Sequence, residues 1–191
     1  WQVYLHRTCV AYEKVLVNML TRAKDLVRLG SEVFASPALH YFLEHDVDAQ
    51  CFTSHPEALH CYEDLDDSDI WSAMKAWKHH KDRILSTLAK DMLDRRIFKV
   101  EVSEEPALEE RIAEIADRIA EEMAISHDDA RRYMMSQNTI QKDMYNVDDD
   151  CIKILYKDGS LKDISEASEL LNVQLLSKKI RKNYLCYQRF Q

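Results

Sequence analysis

The chain has 191 residues, 46% of them hydrophobic, and a formal net charge of −8 at pH 7. That is enough apolar material to bury a core, and the excess of acid argues against broad, charge-driven binding to nucleic acid or an anionic membrane. No run is long and apolar enough to span a bilayer, no signal-peptide pattern opens the chain, and five cysteines without a CxxC pair support neither a disulfide framework nor a zinc finger. Reduced thiols and a cytoplasmic location are the expectation.

With only two glycines and three prolines, helices should dominate. The sequence opens on Trp1 and reads as helix from the start. Val10, Val15, Leu16, Met19, Leu20, Ala23, Leu26 and Val27 keep a helical period as far as Gly30, which suits a C-cap. A domain rarely begins mid-helix without an N-cap, so the chain is expected to be the later part of a longer protein. Ser36 and Pro37 supply an N-cap and first-turn proline for a short helix to about His45. From Asp46 to Asp64 the chain reads as irregular, with Ser54-His55-Pro56 opening another short helix. Asp66 or Asp67 caps a helix with Ile70, Trp71, Met74 and Trp77 on one face. A further helix from about His80 carries Ile84, Leu85, Leu88, Met92 and Leu93, and Phe98 to Val102 alternates as a strand.

Beyond Val102 the pattern changes. Glu105-Pro106 opens a helix to about Ala124 with a stripe of Leu108, Ile112, Ile115, Ile119 and Met123. Ser126 caps a short helix, and Tyr133 to Ile140 reads as a strand of poor alternation. Ile152–Tyr156 and Leu161–Ile164 flank an Asp158-Gly159 turn, which predicts a hairpin. Ser165 caps a helix through Leu171, and Asn183 to Tyr187 closes the chain as a strand. The fold class expected is mainly α with a small α+β C-terminal part: a helical bundle, then a short, mostly antiparallel sheet with packed helices. The division falls at 1–102 and 103–191.

Two blocks of this pattern carry a resemblance. Trp1-Gln-Val-Tyr-Leu-His-Arg-Thr8 with Ala11-Tyr12-Glu13 runs into the first helix. Leu65-Asp-Asp-Ser-Asp-Ile-Trp71, with Ala73 and Lys75, then Ile84-Leu85, precedes Asp94-Arg-Arg-Ile-Phe-Lys-Val100. In that order they resemble HD-domain phosphohydrolases of the dNTP triphosphohydrolase type, in the helix that follows the metal site and in a later helix-to-strand segment. The likeness covers roughly the first half of the chain; beyond about Val102 it is one of architecture only. It implies that residues 1–102 extend the HD core, with metal ligands upstream of Trp1. The parent would hydrolyse a (deoxy)nucleoside triphosphate with a divalent metal of the Mn, Mg, Fe or Zn type. Homo-oligomers and a nucleotide substrate or effector are implied, with no catalytic or metal residue in this stretch, which alone should be inactive.

By the same resemblance Tyr4 and His6 face the nucleotide, and Arg7 stands where the family more often has lysine. Tyrosine can stack and hydrogen-bond, histidine can donate to a phosphate oxygen, and either cation can meet a phosphate with different geometry. From the residues alone, the plainer reading is that these are ordinary helix positions two apart. His45-Asp46, with His6 and Asp150, and His127-Asp128 imitate an HD ligand set without its helical context, and are set aside. His79-His80 with Asp82, and His55 with Glu57 and His60, lack a closed ligand set. Arg95-Arg96 is a small basic cluster that suits an effector, a neighbouring subunit or a helix C-terminus. The Trp71, Met74 and Trp77 stripe reads as core or interface packing. A non-enzymatic helical adaptor using that stripe is the alternative function. The two glycines exclude Rossmann, P-loop and α/β-hydrolase motifs.

Overall fold

The computed structural model describes residues 5–142, 153–163 and 180–190. Among them the order is α1 (Arg7–Arg28), α2 (Pro37–Glu44), α3 (Cys51–Ser54), α4 (Pro56–Asp64), α5 (Asp67–Trp77), α6 (Arg83–Leu93), β1 (Lys99–Ser103), α7 (Glu109–Met123), α8 (His127–Tyr133), β2 (Met135–Lys142), β3 (Lys153–Leu155), β4 (Leu161–Asp163) and β5 (Ile180–Tyr187). The protein is mainly α with a small antiparallel sheet, as the patterning predicts. No helix among the described residues is long and apolar enough to cross a membrane.

Capping chemistry sets most boundaries. Ser36 accepts the Leu39 N–H and Pro37 occupies the first turn of α2. Asp66 and Asp69 form a reciprocal capping box at the start of α5. Asp82 caps α6 through Leu85 N–H, and Ser126 caps α8 through Asp129 N–H. At the end of α1 Gly30 sits at φ +75°, its N–H reaching Val27 O at 2.9 Å while Ser31 N–H reaches Leu26 O at 2.9 Å. That is the Schellman arrangement, which needs a residue free to adopt the left-handed region.

Four expectations are corrected. The helix does not run in from Trp1: Leu5 is in a turn, His6 is extended (φ −62°, ψ 139°), and α1 starts at Arg7. The hydrophobic period that suggested an unbroken helix begins only at Val10, so it could not mark the N-terminal boundary. Within the stretch read as irregular, Cys51–Ser54 forms the one-turn α3. Helix α7 opens at Glu109 rather than beside Pro106, which leaves Leu108 as an exposed N-cap outside the apolar stripe. Trp71 is half exposed, whereas Met74 and Trp77 are buried. The predicted helix from Ser165 to Leu171 lies outside the described residues, as do Ile152 and Ile164 of the predicted hairpin.

The described residues fall into two compact units that are discontinuous in sequence. One comprises 5–101, 107–137 and 185–190; the other comprises 102–106, 138–142, 153–163 and 180–184. Helices α7 and α8 therefore belong with α1 to α6. The three-stranded sheet has the order β1-β5-β2.

In the first unit, α1 packs on α2, α6 and α8, α5 on α6, and α7 on α8. Val15, Met19, Ala23, Met74, Trp77, Leu85, Leu88, Phe98, Ile115, Ile119, Met134 and Tyr187 make the core. The Trp77 indole N–H donates to Phe34 O at 2.8 Å, so this large ring is buried without an orphaned donor. In the second unit β3 and β4 pair antiparallel, with Lys153 opposite Asp163 and Leu155 opposite Leu161. Gly159, at φ +83°, closes the predicted turn, and Asp158 accepts from both Ser160 N–H (2.9 Å) and its hydroxyl (2.7 Å). Buried Asn183 donates to Glu104 O at 2.7 Å and accepts from the Thr139 hydroxyl at 2.8 Å.

Candidate functional site

The residues assigned by resemblance sit at the start of α1. Tyr4 lies outside the described residues. His6 is the N-cap: its Nδ1 accepts the Thr8 N–H at 3.3 Å, and its carbonyl takes the first helical bond from Val10 N–H at 3.1 Å. A neutral His6 then carries its proton on Nε2, on the side of the ring away from the capping bond. Arg7 opens the helix itself. Both side chains are exposed. The structure thus places His6 and Arg7 side by side at a helix N-terminus, whose unpaired N–H groups and dipole favour anions.

The remainder of α1 is fixed by polar ties along its inner side. Asn18, buried, donates through Nδ2 to Tyr133 O at 2.8 Å and Met135 O at 3.2 Å, and accepts from the Ser136 hydroxyl at 3.1 Å. Arg22 grips Asp82 with two bonds, Nε to Oδ1 at 3.2 Å and Nη2 to Oδ2 at 2.7 Å, and its guanidinium lies 4.8 Å from the Tyr133 ring centroid. The Asp82 side chain holds the guanidinium pKa above its ordinary value, against burial that pulls it down. Burial pushes the Asp82 carboxyl up, but Arg22 and the Leu85 N–H outweigh it and hold it below the usual range. One turn on, Asp25 accepts from the Tyr133 hydroxyl at 2.6 Å and from Arg132 at 2.7 Å. None of these roles was assigned from the sequence. The available signal was polar Asn18 and Arg22, four apart, beside apolar Val15, Met19, Ala23 and Leu26.

The imitated HD pair is engaged elsewhere. Asp46 lies 2.5 Å from Arg28 Nη2 and 3.1 Å from Lys24 Nζ, and those cations, Arg28 foremost, lower its pKa. Lys24 also donates to Phe42 O at 3.0 Å and His45 O at 2.7 Å, fastening the end of α2 to α1. The His45 ring stacks on Tyr41 at a centroid distance of 4.5 Å. His127 lies 3.6 Å from Asp117 and 3.8 Å from Asp128, both exposed. His80 accepts the Asp82 N–H on Nδ1 at 3.0 Å, leaving Nε2 to donate to Glu32 O at 3.1 Å. Among the described residues, no three His, Cys, Asp or Glu side chains converge as a metal-ligand set. The donors present therefore do not fit the divalent metal that the family resemblance implies for the whole protein.

No family model matches the chain. The fold defines a class, a mainly helical protein with a small antiparallel sheet. A crystal structure of a phosphohydrolase from Bacteroides thetaiotaomicron matches with a TM-score of 0.92 and 51% sequence identity, over 99% of this chain and 47% of that one. The uncharacterized protein YwfO of Bacillus subtilis is 31% identical over 99 residues, which are 52% of this chain and 21% of YwfO. The chain spans less than half the length of either relative.

Proposed function

We propose that this chain is the C-terminal portion of an HD-family phosphohydrolase. In this reading the whole protein hydrolyses (deoxy)nucleoside triphosphates with a divalent metal held by residues that precede Trp1. This part contributes packing, oligomer contacts and one wall of the substrate cleft. The observation that carries the reading is the 51% identity across nearly the whole chain to a protein described as a phosphohydrolase. The exposed pair at the start of α1 supports the assignment of the wall: His6 presents an Nε2 donor, and Arg7 a guanidinium, beside the positive end of a 22-residue helix. Such groups orient and neutralise phosphate oxygens.

The adaptor alternative draws no support from its proposed surface. Trp77 is buried and hydrogen-bonded to Phe34 O, so Trp71 and Trp77 do not form one exposed stripe.

The test compares two proteins for phosphate or triphosphate release with manganese present: this chain, and a protein extended toward the length of the Bacteroides relative. Turnover is expected in the longer protein alone; equal turnover in both, or none by the longer one across nucleotides and simple phosphoesters, overturns the proposal. Within the longer protein, His6→Asn retains a capping side chain but removes the imidazole. It should lower kcat/KM by roughly a hundredfold with an unchanged melting temperature, in line with losses typical of a positioned proton donor. Full activity in His6→Asn removes His6 from the wall.

A further inference from the structure

Two adjoining hollows of about 350 and 300 Å³ run between α6, α7 and the segment after β5, sharing Thr87, Gln188 and Arg189 in their walls. Arg83, Thr87 and Lys90 are spaced i, i+4 and i+7 on α6, so one face of that helix lines the cleft. Arg189 stands opposite, positioned by its Nε donating to Ile97 O at 2.9 Å, and Arg96 lies at one end.

Two carboxylates share these walls, and both are already paired. Glu122 lies 3.4 Å from Arg118 Nε. Asp91 lies 3.3 Å from Arg96 Nε and accepts from Gln188 Nε2 at 2.6 Å. Arg83, by contrast, reaches only the Glu122 backbone carbonyl, at 3.5 Å. Among the described residues, Arg83, Lys90 and Arg189 meet no carboxylate within ion-pair distance. In a chain with eight excess negative charges, three cations around two adjoining hollows with no carboxylate in ion-pair contact run against the average. Their mutual repulsion is relieved by an anion shared among them.

We propose that this cleft binds a phosphate group, held by Arg83, Lys90 and Arg189 with the Thr87 hydroxyl as a further donor. Three cations suit a dianion better than a single carboxylate, and the planar guanidinium forks match tetrahedral oxyanion edges in pairs. One face of the nearby Phe190 ring is covered by the Arg118 guanidinium at 3.7 Å, so that face is closed to a stacked base. The shared chemistry is the phosphate, free or borne by a larger molecule. The cleft is built wholly from this chain and does not depend on the phosphohydrolase reading; the test needs neither metal nor turnover.

Calorimetric titration of the 191-residue chain at fixed ionic strength, with chloride as the balancing ion, takes inorganic phosphate, pyrophosphate, AMP and adenosine in turn. Phosphate and pyrophosphate should bind and adenosine should not. AMP binding at least tenfold tighter than phosphate assigns a carried phosphate, and equal or weaker AMP binding assigns the free oxyanion; either supports the proposal. Lys90→Ala and Arg83→Ala should each weaken binding about tenfold, the loss expected for one charge-assisted hydrogen bond. Both side chains are exposed, so the melting temperature without ligand should be unchanged, and the phosphate-induced rise in it should shrink in both variants. Absence of binding by all three anions, or wild-type affinity in both variants, overturns the proposal.

Discussion

Replacing Arg22 with methionine should destabilise the protein chiefly through Asp82. Both side chains are only 15% exposed, and two hydrogen bonds join them. Asp82 also caps α6 by accepting Leu85 N–H at 2.8 Å, so the carboxylate stays in place when its cation is removed. It is then a half-buried charge with a cap and no counter-ion. Breaking such a pair from one side costs about 3 kcal/mol, the lower end of the range for buried pairs because some solvent reaches this one. For a domain of this size that loss lowers Tm by roughly 6–12 °C. In the wild type the Asp82 pKa is depressed, so its contribution is present above the ordinary carboxylate range and is lost as pH falls through the depressed value. In Arg22→Met burial acts unopposed by Arg22 and the folded pKa rises, so acid relieves the variant. The stability gap should therefore be widest at neutral pH and narrow toward about pH 4, near the unfolded carboxylate value. Urea unfolding at both pH values measures it, with Arg22→Met/Asp82→Asn closing a double-mutant cycle. A gap below about 1 kcal/mol, the size of an exposed pair, together with additive single mutants, refutes the reasoning.

Other expectations follow from single sites. Asn18→Ala leaves the Tyr133 and Met135 carbonyls without their donor and should cost about 2–3 kcal/mol by chemical denaturation, more than a surface asparagine. Gly30→Ala forces a side chain to φ +75° with no steric neighbour nearby, so backbone strain alone should cost about 1 kcal/mol and 2–4 °C in Tm. Burial raises the Cys186 thiol pKa to about 11, against 9 when exposed. Stability should thus be intact below about pH 9 and fall by up to about 3 kcal/mol as pH rises through 11, relative to Cys186→Ala at the same pH. In the native protein Cys186 should correspondingly stay unmodified by iodoacetamide and react after unfolding.

Caps and turns were the most legible part of this sequence because their signals are local. Ser36-Pro37, Asp66, Ser126 and Asp158-Gly159 each satisfy backbone groups within a few residues, and each stands where the sequence puts it. Periodicity found the buried faces of α1, α6 and α7 for the same reason. It failed where no apolar partner was at stake. Leu108 continues the stripe in spacing but precedes the first helical turn, and Trp71 lies on a helix whose buried face ends at Met74 and Trp77. The polar network was illegible for a different reason. Asn18 meets residues more than 110 positions away, and Arg22 meets Asp82 60 positions away. Only the tertiary fold brings those partners together.

Those distant ties also bear on the proposed site. Along α1, Asn18 holds the segment between α8 and β2, Arg22 holds the α6 cap, Asp25 holds Tyr133 and Arg132, and Lys24 and Arg28 hold the end of α2. Every one of these attachments lies in the middle or C-terminal part of the helix. His6 and Arg7, at its other end, are exposed, and His6 is tied to the helix by its capping bond to Thr8 N–H. Fixed through its middle and C-terminal turns, a helix that curves only gently presents its first turn in a defined direction. In the proposed reading, the polar interior of α1 thus aims His6 and Arg7 without touching substrate. Loosening it should raise KM and lower kcat together, whereas His6→Asn should change catalysis with the helix still in place.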